Sequence, residues 1–270
     1  MELLQKTLAA LPPRTEGDVP GLMTHIVLGY PSLEESLDVA KTLADAGSCI
    51  IELQIPFSDP TADGPTIMEA NEVARENDIT ASDCLKAAKT LTKEAPNCPF
   101  LFMSYLNPIY SFKGGLENFF KKAKQANVEG LIIPDIPPEN TDLNYWTLAS
   151  EYDLAAIPFV SPLSNDKRIR QVAKLAETKF TYCLSSTATT GAQKALPKDL
   201  FQYLTKVGRK IKSPLAVGFG ISKPEHTKAL KGYAEIAIVG SATIDIIRKT
   251  PKNKRLKEIR SFVTSLLHRK

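Results

Sequence analysis

The feature that most constrains this chain is its alternation: short apolar runs bounded by turn residues are separated throughout by longer segments with one apolar face. That pattern predicts a parallel sheet with crossover helices, because parallel neighbours need a long return connection that also covers the sheet. Strands are expected over residues 23–28, 50–55, 100–104, 130–134, 155–160, 180–184, 215–217 and 236–239. Eight strand–helix units in 270 residues predict one closed (β/α)8 TIM-barrel domain spanning residues 1–270, since such barrels fill roughly 250 residues. A G-x-G-x-x-G turn after the first strand would have pointed to an open dinucleotide-binding sheet, and none is there.

The helical segments carry their own punctuation. Ser32 with Glu35 three residues later reads as a capping box, Leu33, Leu37, Ala40, Leu43 and Ala44 trace an apolar face, and Gly47 ends the helix. Further helices are expected over 65–76, 81–94, 115–126, 141–152, 167–176, 198–209, 223–231, 242–249 and 254–267. Residues 3–11 and one of the two helices between the second and third strands exceed a minimal barrel and are expected to cover its bottom or flank.

Several function classes are not indicated. The net charge is only +4, and the C-terminal lysines and arginines have no aromatics interleaved, which reads as a solvated helix face and not a nucleic-acid surface. Cys49, Cys84, Cys98 and Cys183 have no C-x-x-C spacing, and His25, His226 and His268 form no ligand pair, so neither a disulfide framework nor a metal site is expected. No stretch approaches the roughly 20 apolar residues of a membrane span, and the N-terminus lacks a signal-peptide core. A soluble, cytoplasmic protein in a reducing compartment is the expectation.

The chemistry concentrates around residues 50–66. Glu52 lies within an apolar run bounded by Gly47 and a proline-rich loop, and alternation puts it on one face with Ile50 and Gln54 while Ile51 and Leu53 face away. Carboxylates buried in such runs are costly unless partnered, and proteins usually tolerate that cost at a working site; a lysine or arginine elsewhere in the core is the structural alternative. The loop that follows adds Asp59 and Asp63 among stiffening prolines. In barrels of this kind the chemistry sits at the C-terminal strand ends. Those ends supply Glu52, Asp63, Tyr105, Asn107, Asp135, Tyr182, Gly191, Phe219, Gly220, Gly240 and Ser241. Glycine-rich turns after the seventh strand (GFGIS, 218–222) and the eighth (VGSA, 239–242) are suited to a phosphate held on backbone N–H groups.

The segment ELQIPFSDPTADGPTI (52–67) resembles the hallmark block of the tryptophan synthase α subunit family. The likeness continues, in family order from about residue 21 to 245, through LGYP (28–31), YLNP (105–108), PDIP (134–137), TYCLS (181–185), TG (190–191), GFGIS (218–222) and GSA (240–242). It implies a TIM barrel that cleaves indole-3-glycerol phosphate to indole and glyceraldehyde 3-phosphate. No cofactor is implied in this chain; pyridoxal phosphate is expected in a partner β subunit that takes the indole on to tryptophan within an α2β2 heterotetramer. By this resemblance Glu52 and Asp63 are the catalytic pair, Glu52 moving protons and Asp63 accepting the indole N–H, with Tyr182 as an assisting hydroxyl or aromatic wall. Gly191, Phe219, Gly220, Gly240 and Ser241 would bind the substrate phosphate, Thr190 would close the loop over it, and Pro56, Asp59, Pro60 and Asn107 would meet the partner.

Several positions depart from the commoner family pattern: Gln54 stands where many members have glycine, His25 where a bulky apolar residue is usual, and Ser186-Thr187-Ala188-Thr189 where many read Arg-x-Gly-Val. They bear on loop closure and partner-driven activation more than on the chemistry. Three other readings stay open at this point: a stand-alone indole-3-glycerol phosphate lyase, a weakly active barrel that serves mainly as the allosteric partner of a β subunit, and a barrel that uses the same phosphate site for another phosphorylated metabolite.

Overall fold

The computed structural model describes residues 1–140, 142–184, 198–218 and 220–268. Nine strand segments form one sheet: β1 (Gly21–Val27), β2 (Ile50–Gln54), β3 (Phe100–Met103), β4 (Gly130–Ile132), β5 (Ala155–Ala156), β6 (Phe159–Val160), β7 (Thr181–Leu184), β8 (Leu215–Gly218) and β9 (Ile236–Val239). The sheet order is β5-β4-β3-β2-β1-β9-β8-β7-β6, every pairing is parallel, and its two end strands are consecutive in the chain. Only Ile157 and Pro158 separate them, so the ends are one stretch of chain and the sheet curls closed. Ile157 N–H donates to Leu131 O at 2.9 Å on the β4 side, and Pro158 O accepts Tyr182 N–H at 3.0 Å on the β7 side. The single fifth strand expected over 155–160 is thus split, because Pro158 has no N–H for the ladder.

Helices follow the strands: α1 (Glu2–Ala9) precedes β1, α2 (Leu33–Asp45) follows it, and α3 (Pro65–Glu76) and α4 (Ala81–Glu94) lie between β2 and β3. After β3 come α5 (Leu106–Tyr110) and α6 (Gly115–Gln125), then α7 (Tyr145–Glu151), α8 (Asp166–Leu175), α9 (Lys198–Lys210), α10 (Pro224–Ala229), α11 (Ser241–Lys249) and α12 (Lys252–Leu266). α5 is not visible in the sequence pattern, being a single turn. α7 is shorter than the expected 141–152: Asn144, at φ 51°, has left-handed backbone that a helix cannot continue through, and residue 141 lies outside the described residues.

The α2 cap is a partial correction. Ser32 Oγ accepts Glu35 N–H at 3.2 Å, but the Glu35 side chain does not return to the cap; it pairs with Arg255 of α12. The reciprocal box occurs at α4, where Thr80 and Asp83 cap each other. Gly47, at φ 107°, follows α2 as expected.

The strand pleat sorts side chains into two cores. Ile51 and Leu53 of β2 pack outward against the helices, whereas Met23, Ile50, Leu101, Ile132, Phe180, Ala216 and Ile236 fill the barrel interior. Leu4 and Leu8 of α1 join that interior cluster, so the extra N-terminal helix closes the barrel's bottom. At the opposite end, where the strands finish, polar side chains join apolar ones around an open cavity. Among the described residues no helix is long and apolar enough to cross a membrane.

Candidate active site

The β1–β2 register places His25 beside Glu52 and Val27 beside Gln54, so His25, Glu52 and Gln54 all face inward near the strand ends. Each is buried, with Glu52 only 2% exposed. Among the described residues no lysine or arginine partners Glu52. Among the described residues the group within ion-pair reach of Glu52 is His25, whose Nδ1 lies 3.4 Å from Oε2 without being aligned as a hydrogen bond, and Oε2 is buried without a hydrogen-bond partner.

From His25 a chain of short bonds leads to the second carboxylate. His25 Nε2 lies 2.9 Å from Gln54 Oε1, and Gln54 Nε2 donates to Asp63 Oδ2 at 2.7 Å. Tyr105 O–H donates to the same Asp63 oxygen at 3.1 Å and accepts Ala62 N–H at 3.0 Å. The loop after β2 is therefore fastened at Asp63 and Ala62. Its other limb is held by Asn71 of α3, whose Oδ1 accepts Phe57 N–H at 3.1 Å while Phe57 packs on the Tyr105 ring at 5.3 Å.

This environment sets the ionisation of the site. Burial pushes the Asp63 carboxyl up, opposed by His25 and by the Gln54 and Tyr105 donors. Burial alone would lower His25, but the adjacent Glu52 charge, reinforced by Asp63 and Gln54, outweighs it and holds the imidazole above its ordinary value. The Tyr182 hydroxyl is raised well above its usual range, first by burial and then by the Glu52 and Asp63 charges, so it is a neutral donor at any working pH.

These groups border one cavity of about 650 Å³, counted with its mouth. Glu52, Asp63 and His25 lie on one part of its lining, Met103, Ile132, Phe159 and Tyr182 supply apolar and aromatic walls, and Gly218, Gly220, Gly240 and Ser241 complete it. Tyr182 stacks against Phe159 at 4.9 Å. Ser241 opens α11, so backbone N–H groups and the positive end of that helix meet the cavity. Gly220 has φ 64°, a conformation that favours glycine. Of the sequence-predicted site, Glu52, Asp63, Tyr182, Gly220, Gly240 and Ser241 are brought together; Thr190, Gly191 and Phe219 lie outside the described residues, as do Ser186, Thr187, Ala188 and Thr189.

The expected partner-facing residues are divided. Asp59 and Asn107 reach solvent on the rim, whereas Pro56 and Pro60 are buried in this chain. Tyr110 and Leu163, both strongly exposed, stand on segments after β3 and β6. Sequence reasoning gave no role to Tyr105 or Asn71, which fasten the loop, and it did not connect His25 to Glu52. The in-register facing of two strands is the missing signal, and no local motif encodes it.

The fold and this site together define a (β/α)8-barrel enzyme built around two buried carboxylates. A family model described as tryptophan synthase alpha chain matches residues 14–268. The tryptophan synthase alpha chain of Desulfotalea psychrophila is 40% identical over 245 residues, covering 91% of this chain and 93% of that protein. The crystal structure of the tryptophan synthase alpha chain from Legionella pneumophila superposes with a TM-score of 0.85 at 29% identity, over 99% of this chain and 97% of that one. A Pyrococcus furiosus structure, from work on mutual activation of the tryptophan synthase a2b2 complex, gives 0.82 at 29% identity over 92% and 98%. This chain belongs to the tryptophan synthase alpha chain family.

Proposed function

We propose that this chain cleaves indole-3-glycerol phosphate to indole and glyceraldehyde 3-phosphate, as the α subunit of a tryptophan synthase. The observation that carries the reading is the convergence of Glu52 and Asp63 on one cavity with an aromatic wall at one part and glycine-rich turns at another. Retro-aldol cleavage requires a proton delivered to indole C3, a proton removed from the adjacent glycerol hydroxyl, and support for charge at the indole nitrogen. Glu52, buried on a strand and with Oε2 free of hydrogen bonds among the described residues, serves the two proton steps. Asp63, held by Gln54 and Tyr105, accepts the indole N–H. Tyr182 and Phe159 flank the ring, and Gly220, Gly240 and Ser241, with Gly191 and Phe219, take the phosphate on backbone donors; among the described lining residues there is no lysine or arginine to do so.

We further infer a β-subunit partner, in an α2β2 heterotetramer, that holds the pyridoxal phosphate; this chain's reaction asks for no cofactor. Asp59 and Asn107, exposed near the cavity's rim, support that docking face. A cytoplasmic location accompanies this reading. The test is indole release from indole-3-glycerol phosphate by the purified chain, alone and with a tryptophan synthase β subunit. Indole formation stimulated by the partner supports the assignment, and absence of indole under both conditions contradicts it.

A further inference from the structure

We propose that His25 is a positioning residue that shares one proton with Glu52, in an orientation fixed through Gln54 by Asp63. The inference rests on the lyase reading above for its catalytic consequence, and on hydrogen-bond direction for its geometry. Ala62 N–H can only donate, so the Tyr105 hydroxyl that accepts it sends its own proton to Asp63 Oδ2. Gln54 Nε2 donates to the same oxygen, which turns Gln54 Oε1 toward His25 Nε2 and makes that nitrogen the N–H donor. Nδ1 then faces Glu52 Oε2 at 3.4 Å. Two unprotonated atoms in that contact would repel, so the pair carries one proton: imidazolium with carboxylate, or imidazole with carboxylic acid.

The surroundings favour retention of that proton. Among the described residues the ionisable groups facing His25 are Glu52 on β2 and Asp63 on the following loop; the cavity's neighbours from the turn after β9, from α11 and from α3 are Gly240, Ser241 and Ile67, all uncharged. Tyr105 and Tyr182, the remaining ionisable groups of the site among the described residues, are held neutral by burial. Among the described lining residues His25 is the one side chain able to carry positive charge.

A shared proton lets one carboxyl act first as acid and then as base. The pair's one proton passes to indole C3 from Glu52, whose Oε2 receives it from Nδ1 where the imidazole holds it, and the pair is left as imidazole and carboxylate. Glu52 then takes the proton of the glycerol hydroxyl as the C–C bond breaks, the bonding pair returning to the indole ring and the oxygen closing to the aldehyde. The proton returns to the pair, and the enzyme ends as it began.

Histidine 15N NMR across pH 6 to 9 tests the sharing, and steady-state indole release across the same range tests its use. His25 is expected to appear as imidazolium or as the Nε2–H tautomer, titrating above the ordinary histidine value of about 6.5. In Glu52→Gln its midpoint should fall by at least one unit, a roughly tenfold loss of proton affinity. His25→Gln should lower kcat about tenfold or more, with KM within threefold, and should remove the pH dependence that follows His25. A neutral Nδ1–H tautomer, an unmoved midpoint in Glu52→Gln, or a His25→Gln profile superimposable on the wild type's overturns the proposal. Where His25→Gln fails to fold, the wild-type and Glu52→Gln spectra decide. Absence of indole release by the wild type contradicts the lyase reading instead, and leaves the spectra to judge the shared proton.

Discussion

Replacing Tyr105 by Phe isolates the fastening of the Asp63 loop from the chemistry itself. The ring is 1% exposed and its packing on Phe57 survives the change, so only the hydroxyl's two bonds are lost. The O–H bond to the Asp63 carboxyl, long at 3.1 Å, contributes about 1.5 kcal/mol, the low end for a charged partner. The bond from Ala62 N–H contributes about 0.5 kcal/mol, because Ala62 is exposed and water can replace the hydroxyl. Together about 2 kcal/mol is at stake, or roughly a 30-fold change in how often the loop holds Asp63 in place. Indole release should therefore show kcat/KM lowered by about 10- to 30-fold. If the same bonds count fully against global unfolding, the urea midpoint drops by about 0.7 M at a slope of about 3 kcal/mol/M. A variant with kcat/KM within twofold of wild type and an unchanged midpoint would refute the claim that this hydroxyl holds the loop.

Asp63→Asn should lose activity yet gain stability at pH 8. A carboxyl whose folded pKa is raised contributes stability below its unfolded value and loses it as pH rises through the folded value. The variant's advantage in melting temperature should thus vanish as pH is lowered below about 4, and an advantage that grows on acidification would contradict the burial argument. Gly240→Val adds a side chain beside Ile67 and His25 at the cavity, and Gly220→Val adds backbone strain of roughly 1–3 kcal/mol. Both should weaken glycerol phosphate binding at least tenfold by calorimetry, and unchanged affinity in both counts against the phosphate site. Asp59→Ala should reduce stimulation by a β subunit far more than basal indole release, since Asp59 is exposed four residues before Asp63 on the same fastened loop. Equal losses would assign Asp59 a local turn role.

Periodicity made the barrel legible, because each strand and helix must show its buried face locally. Glu52 stood out as a charge within an apolar run, and Asp63 through its place in the proline-rich block. What the sequence withheld depends on distant pairing. His25 meets Glu52 only through the β1–β2 register, and a slip of one residue would have turned it outward. Ser32 three residues away makes Glu35 look like a capping partner, whereas its charge is taken by Arg255, 220 residues on. The split of the fifth strand was hidden for another reason: Pro158 lies inside an apolar run whose pattern alone gives no sign of where the barrel seam falls.

The central claim is that Glu52 moves the protons of carbon–carbon cleavage. Single-turnover indole formation from indole-3-glycerol phosphate, comparing wild type with Glu52→Gln, tests it most directly, because the amide keeps the shape but cannot exchange a proton. A rate loss of about 10²–10⁴-fold is expected, with substrate binding and folding nearly intact; indole formation at close to the wild-type rate would contradict this role for Glu52.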